Sequence, residues 1–147
     1  MERYRYWELE GGIQLNRYHA EVMGSGTPVI FLPAGGFTGE EGRSLAEVLC
    51  DDFEVHLLDL PGFGRSEGIK QVVTSEQLAD WVNDYVITHR IGPVHVIAHS
   101  LGGAIALAFA THYPEHVERL VLLDQGHKAF SIEQVRQFLQ IEKASGL

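Results

Sequence analysis

The chain has 147 residues, an apolar content of 45% and a formal net charge of −9. That length suits one domain with its own core, and an acidic balance without a basic run argues against nucleic acid as a partner. No apolar run reaches membrane-spanning length, residues 1–7 lack the apolar core of a signal peptide, and a single cysteine, Cys50, cannot form an internal disulfide, so the expected location is cytoplasmic with no membrane partner.

Residues 4–9 and 13–19 read as two strands around Glu10-Gly11-Gly12, whose glycines are free to take the positive φ of a hairpin turn. Residues 23–28, rich in Gly, Ser and Pro, form a turn cluster before a short buried strand at 29–32. A glycine-rich loop follows at 33–39. Residues 40–49 read as a helix with Leu45, Val48 and Leu49 inward and Cys50 at its end as a structural thiol. The next strand, 53–58, ends at Asp59. Beyond a polar connection at 71–75, Leu78, Val82, Tyr85 and Val86 recur at helical spacing, with Ser75 as the expected N-cap and Ile91-Gly92-Pro93 as the stop.

The densest signal is Pro93-Val94-His95-Val96-Ile97-Ala98-His99-Ser100-Leu101-Gly102-Gly103. Residues 94–98 read as a buried parallel strand. After it the apolar period becomes helical, placing Leu101, Ala104, Ile105, Ala108 and Phe109 on one face. Ser100 lies between the two, with small residues Ala98 and Gly102 two positions to either side. A strand that turns sharply into a helix strains the turn residue and presents its hydroxyl at the sheet's carboxyl edge, and larger flanking side chains would clash. The following helix points its free N–H groups and positive dipole end at the same place, which suits an oxyanion. The chain then stops a helix at Tyr113-Pro114, forms a strand at 120–123, and carries a capping box at Ser131 ahead of an amphipathic segment containing Ile132, Val135, Phe138 and Leu139. Alternating strands and helices predict an α/β fold with a mostly parallel sheet, flanking helices and an antiparallel extension at one edge.

Four blocks in this order resemble the α/β-hydrolase family: residues 29–37 as the strand and oxyanion loop, Asp59-Leu60-Pro61-Gly62-Phe63-Gly64-Arg65-Ser66 as the turn after the next strand, the Ser100 elbow, and residues 113–124 as the helix end and strand beyond it. The resemblance covers the N-terminal half of a family member. It implies an α/β-hydrolase-like sheet truncated before its last strands, with 1–127 as the N-terminal part of the core and 128–147 as the start of a cap or lid. It implies Ser100 as nucleophile, the Leu101 N–H as one oxyanion donor, and a second donor at Gly35, with Gly36 as the fallback. Pro33-Ala34 stands where the family often has His-Gly, so a loop-bracing imidazole is missing.

Such a nucleophile needs a base and an acid. The resemblance implies the order Ser, acid, His, with the His beyond residue 147 and so not in this chain. Asp124 is a candidate acid and His127 a substitute base. His99 should point away from the Ser100 hydroxyl, and His95 should be packed. Asp59 should cap its own turn rather than act beside Arg65 in catalysis. No metal and no cofactor is implied. The partners expected are a small-molecule acyl substrate and a C-terminal segment or second chain beside the strand at 120–123, whose open apolar edge invites pairing. Ser rather than Asp at position 100 disfavours the dehalogenase and epoxide-hydrolase branches, while thioesterase, acyltransferase and carbon–carbon hydrolase branches remain open. Against the serine hydrolase stand two other readings: a small-molecule sensor on a hydrolase scaffold, and an inactive hydrolase fragment.

Overall fold

A computed structural model describes residues 2–8, 17–61 and 74–123. The elements are β1 (Glu2–Glu8), β2 (Arg17–Met23), β3 (Thr27–Leu32), a 3-10 turn (Gly39–Gly42), α1 (Arg43–Leu49), β4 (Phe53–Asp59), α2 (Ser75–His89), β5 (Val94–His99), α3 (Leu101–His112), a second 3-10 turn (Pro114–His116) and β6 (Val117–Leu123). They build one six-stranded sheet in the order β1-β2-β4-β3-β5-β6. Strands β4, β3, β5 and β6 run parallel, and β1 and β2 extend the sheet antiparallel at the β4 side.

Alternation along the strands divides the core between the two faces. Ile30 and Leu32 of β3 join Leu58, Val94, Val96 and Ala98 under α2 and α3. Val29 and Phe31 face the other way, with Val55, Leu57 and Ala46 of α1. A sheet covered on both faces needs near-continuous apolar strands, and this explains why β3 and β4 read as runs rather than as alternating patterns.

The chain leaves β3 through α1 to reach β4 on one side, then returns through α2 to β5 on the other. The connections after β3 and β5 therefore lead to opposite sides at the carboxyl edge, the usual place for a ligand in such a sheet. The register puts Leu32 beside Ala98, and Ala98 beside Leu122, so the loop after β3 begins next to Ser100.

Several elements differ from the sequence expectation. Strand β2 is displaced toward the C-terminus of 13–19, because its residues 19–23 pair with β4 and Ala20 and Val22 are needed in the sheet interior. The turn starts only at Gly24, whose φ of 82° favours glycine. In the 40–49 segment a 3-10 turn precedes a shorter helix, and Val48 faces solvent at 76% exposure while Ala46 is fully buried. The helix approaches the sheet too closely for a large side chain: a Cβ at Gly42 would lie 2.5 Å from the Phe31 ring. The inward stripe is thus Gly42 and Ala46, with Leu49 half-buried.

Helix α2 buries Leu78, Val82, Tyr85 and Val86 as its period predicts. Its N-cap is Thr74 rather than Ser75: the Thr74 hydroxyl accepts from the Gln77 N–H at 3.1 Å, and Gln77 Oε1 accepts from the Thr74 N–H at 2.9 Å. Beneath this helix, fully buried His56 of β4 lies 2.7 Å from Glu54 Oε1 and 2.6 Å from the Tyr85 hydroxyl. With Nε2 donating to the carboxylate, Nδ1 accepts from the tyrosine, so a buried imidazole is satisfied at both ends.

Helix α3 sits against both the sheet and α2, so two of its faces are buried. Gly102, Gly103, Ile105, Ala106, Phe109 and Ala110 point inward, while Leu101 and Ala104 are exposed, shifting the expected stripe by one position. Tyr113, just past α3, donates its hydroxyl to Asp80 Oδ1 at 2.5 Å and thereby ties the two helices. That bond, chiefly, pushes the Tyr113 pKa up to about 12. His116 adds a second tie, with Nδ1 2.7 Å from Asn83 Oδ1.

Two outcomes follow from this packing. A Cβ at Gly102 would lie 2.3 Å from the Leu32 carbonyl oxygen, a backbone atom that cannot swing aside. Gly102→Ala is expected to cost about 1–3 kcal/mol, read by urea unfolding; an unchanged midpoint would show that α3 can slide without loss. On α2, Asp84 is raised above its usual range by desolvation and by Asp80 one turn away. A raised carboxyl pKa means that folding favours the protonated form, so stability falls as pH climbs through and past the ordinary value of 3.8. Asp84→Asn should therefore stabilise by about 0.2–0.5 kcal/mol at pH 7, with the gain disappearing under acid conditions, as measured by thermal melts across pH.

Candidate functional site

The candidate site lies at the carboxyl edge, where β5 gives way to α3. Ser100 occupies that turn with φ 52° and ψ −113°, a left-handed conformation that few non-glycine residues adopt. Its N–H reaches the Leu123 carbonyl of β6 at 3.5 Å, and its carbonyl accepts from the Gly103 N–H at 2.8 Å. Ala98 is fully buried on the strand side and Gly102 is pressed against β3 on the helix side, which leaves Ser100 itself exposed. The N–H of Leu101 opens α3 and has no partner within the helix, so it is free to donate to a ligand.

The loop at 33–37 lies alongside. The Phe37 N–H donates to the Ala34 carbonyl at 3.1 Å, closing a turn with Gly36 at φ 82° in its third position. That position demands φ > 0 and so explains the second glycine. Gly35 faces the elbow: a Cβ there would meet Leu101 Cδ2 at 3.1 Å. The turn therefore brings the Gly35 segment and the start of α3 together.

Two carboxylates hold this loop, and the sequence pattern marked neither for that role. Asp59 Oδ1, buried at the end of β4, accepts from the Gly39 N–H at 2.8 Å. The parallel pairing of β3 and β4 carries its side chain across to the neighbouring loop, and the turn beyond Pro61 that Asp59 is expected to cap lies outside the described residues. Glu41, on the 3-10 turn, accepts from the Ala34 N–H at 3.0 Å, and the same oxygen lies 3.1 Å from His99 Nδ1. His99 thus points toward Glu41. The signals in the sequence were a Glu pair closing the glycine-rich loop and a His before Ser100, but only the fold brings 41 and 99 together.

The remaining histidines with described side chains are placed elsewhere. His95 packs edge-on against Phe53, with ring centroids 5.9 Å apart. His19 and His56 are buried in strands, His89 is on α2, and His112 and His116 are at the far end of α3. Among the described residues no imidazole contacts the Ser100 hydroxyl. Asp124, His127, Arg65 and the segment 128–147 lie outside the described residues. No group of three metal-ligating side chains occurs among the described residues, and none of their helices is long and apolar enough to cross a membrane.

The α/β hydrolase fold profile matches residues 27–141. The chain is 37% identical over 103 residues to a pimeloyl-[acyl-carrier protein] methyl ester esterase of Chromobacterium violaceum, covering 70% of this chain and 39% of that one. It is 35% identical over 124 residues to a 2-hydroxy-6-oxononadienedioate/2-hydroxy-6-oxononatrienedioate hydrolase of Paraburkholderia phymatum, covering 80% and 43%. Among solved structures, a thermophilic esterase of Thermogutta terrifontis superposes with a TM-score of 0.75 at 28% identity, over 89% of this chain and 48% of that one. The epoxide hydrolase CorEH gives 0.76 at 28% identity, over 99% and 52%. The chain thus spans less than half the length of these two curated relatives. With the strand order, the strained serine turn and a profile match over most of its length, the chain belongs to the α/β-hydrolase fold family.

Proposed function

We propose that this chain carries the nucleophile and oxyanion half of a serine hydrolase acting on an ester or related acyl bond. The observation that carries the reading is Ser100 at φ 52°, held between β5 and α3 at the carboxyl edge of the sheet. A serine kept in a costly conformation between a strand and a helix supports a nucleophile turn, since such strain clusters at functional sites. In this reading the Ser100 hydroxyl attacks the acyl carbonyl carbon. The carbonyl oxygen takes the negative charge and accepts from the N–H groups of Leu101 and Gly35. A histidine beyond the described residues takes the serine proton and passes it to the leaving alcohol. Water then hydrolyses the acyl-Ser100 ester. Asp124, next after β6, remains the candidate for the acid that orients that base.

The named activities of the two curated relatives, an esterase and a hydrolase, support the reaction class. Ser at position 100 supports that class over the epoxide branch to which CorEH belongs, where the resemblance would demand a carboxylate nucleophile. A C-terminal segment or partner chain beside β6 belongs to the proposal. Among the described residues β6 pairs only with β5, and Val121 and Leu123 are 47% and 38% exposed. Sedimentation of the 147-residue chain should show self-association; a clean monomer with a cooperative melt would remove the need for a partner.

In the complete enzyme, Ser100→Ala is expected to lower kcat by up to about 10⁶-fold while leaving binding of an unreactive analogue intact. A fluorophosphonate should label wild-type Ser100 rapidly. Slow labelling with preserved ligand binding would favour the sensor reading, and turnover retained in Ser100→Ala would move the chemistry elsewhere.

A further inference from the structure

The geometry points to Glu41 as the positioning residue of the oxyanion site: one of its carboxylate oxygens joins the loop that carries Gly35 to the end of the strand that leads into Ser100. This inference rests on the serine-hydrolase reading above. Glu41 Oε1 accepts from the Ala34 N–H at 3.0 Å and meets His99 Nδ1 at 3.1 Å. Ala34 immediately precedes Gly35, and His99 immediately precedes Ser100. A single atom thus holds the residue before each of the two segments that supply an oxyanion donor.

The chemistry of the contact is directional. A carboxylate only accepts, so Nδ1 of His99 carries the proton and donates. Both contacts are charge-assisted and both are partly withdrawn from water, the Glu41 side chain being 19% exposed and that of His99 30%. The loop needs such a link. It has no imidazole of its own, since Pro33 and Ala34 stand at its start, and its internal turn is closed by the single bond from Phe37 to Ala34. His99 supplies an imidazole from the end of β5, and Glu41 relays it to the loop backbone. Asp59 fixes the loop's far end through Gly39, so what Glu41 adds is the distance between the loop and the elbow. Donors aimed at a developing charge act through that distance, and an error of a fraction of an ångström weakens them more than it weakens ground-state binding.

Three single variants of the complete enzyme and one double variant test this: Glu41→Ala, which removes the link; Glu41→Gln, which keeps a neutral acceptor; His99→Ala, which removes one arm; and Glu41→Ala combined with His99→Ala. Hydrolysis of a chromogenic ester is followed alongside hydrogen exchange at the Ala34 amide, a readout that needs no turnover. Glu41→Ala should lower kcat about 10- to 100-fold with KM changed by no more than about twofold. Exchange at Ala34 should speed up at least about tenfold. Glu41→Gln should recover most of both. The Glu41→Ala/His99→Ala double variant should lose less than the product of the single losses, because both act through one contact. Wild-type kcat and exchange in Glu41→Ala, beside an inactive Ser100→Ala, would overturn the positioning role and leave the functional reading standing. Full additivity in the double variant would overturn it as well. If Glu41→Ala does not fold, a wild-type kcat in folded His99→Ala, which lacks the arm to the elbow, is the overturning result. Turnover retained in Ser100→Ala would overturn the functional reading and this inference with it.

Discussion

The backbone of Ser100 is the constraint around which the rest is arranged. A non-glycine residue at φ 52° and ψ −113° costs about 1–3 kcal/mol, and it persists only where its surroundings leave no alternative. Here the surroundings are the register of β5 between β3 and β6, and the contact of Gly102 with the Leu32 carbonyl. Strand β5 cannot shift without breaking both ladders. Helix α3 cannot retreat without exposing Ile105, Ala106, Phe109 and Ala110, all fully buried. The burial of those side chains, each of the larger ones contributing about 1.5–3 kcal/mol, exceeds the strain of one residue. The turn is the place where two well-packed elements must meet.

The same logic explains which parts of the chain were legible as sequence. Period changes and small residues are local, so the β5–Ser100–α3 unit could be read from eleven consecutive letters. Part of the α2 core was legible because Leu78, Val82, Tyr85 and Val86 recur at helical spacing, while Ala79 and Trp81, also buried, fall outside that stripe. Position Val48 misled because the size of a residue, rather than its hydropathy, decides what can face a close contact: next to the Phe31 ring the chain uses Gly42 and Ala46, and the larger valine turns outward. The α3 stripe shifted for a related reason, since a helix packed on two neighbours buries more than half its circumference. Strand β2 was displaced because the pairing partner of an antiparallel edge strand sets its ends, and that partner, β4, is more than thirty residues away.

Long-range polar contacts were the least legible. Glu21 is 5% exposed on β2 and meets Arg43 of α1, which also holds Glu40. Nothing local to Glu21 distinguishes it from a solvated strand residue. Glu54, His56 and Tyr85 present the same difficulty on the opposite face. Buried polar groups must be partnered, so once a fold places one inside, its partner can be sought by geometry. Before the fold is known, the pairing of 21 with 43, or of 41 with 99, is one among many.

The braces around the candidate site share a further property. Asp59, Glu41 and His99, together with the backbone turn closed by Phe37, all come from residues 33–100, and their recipients are Gly39 and Ala34 in the same span. None of these contacts uses a side chain from beyond β6. The loop and the elbow are therefore fixed relative to one another by elements that pack within the sheet. In the proposed mechanism this divides the work by cause: oxyanion stabilisation depends on donors aligned before substrate arrives, whereas proton transfer depends on a base that must approach the Ser100 hydroxyl from the open side of the turn. Ser100 is exposed, and Leu101, next to it in the chain, is 37% exposed. A rigid electrostatic half next to an accessible apolar rim is the arrangement that lets substrate and base meet the serine without disturbing the donors that stabilise what they produce.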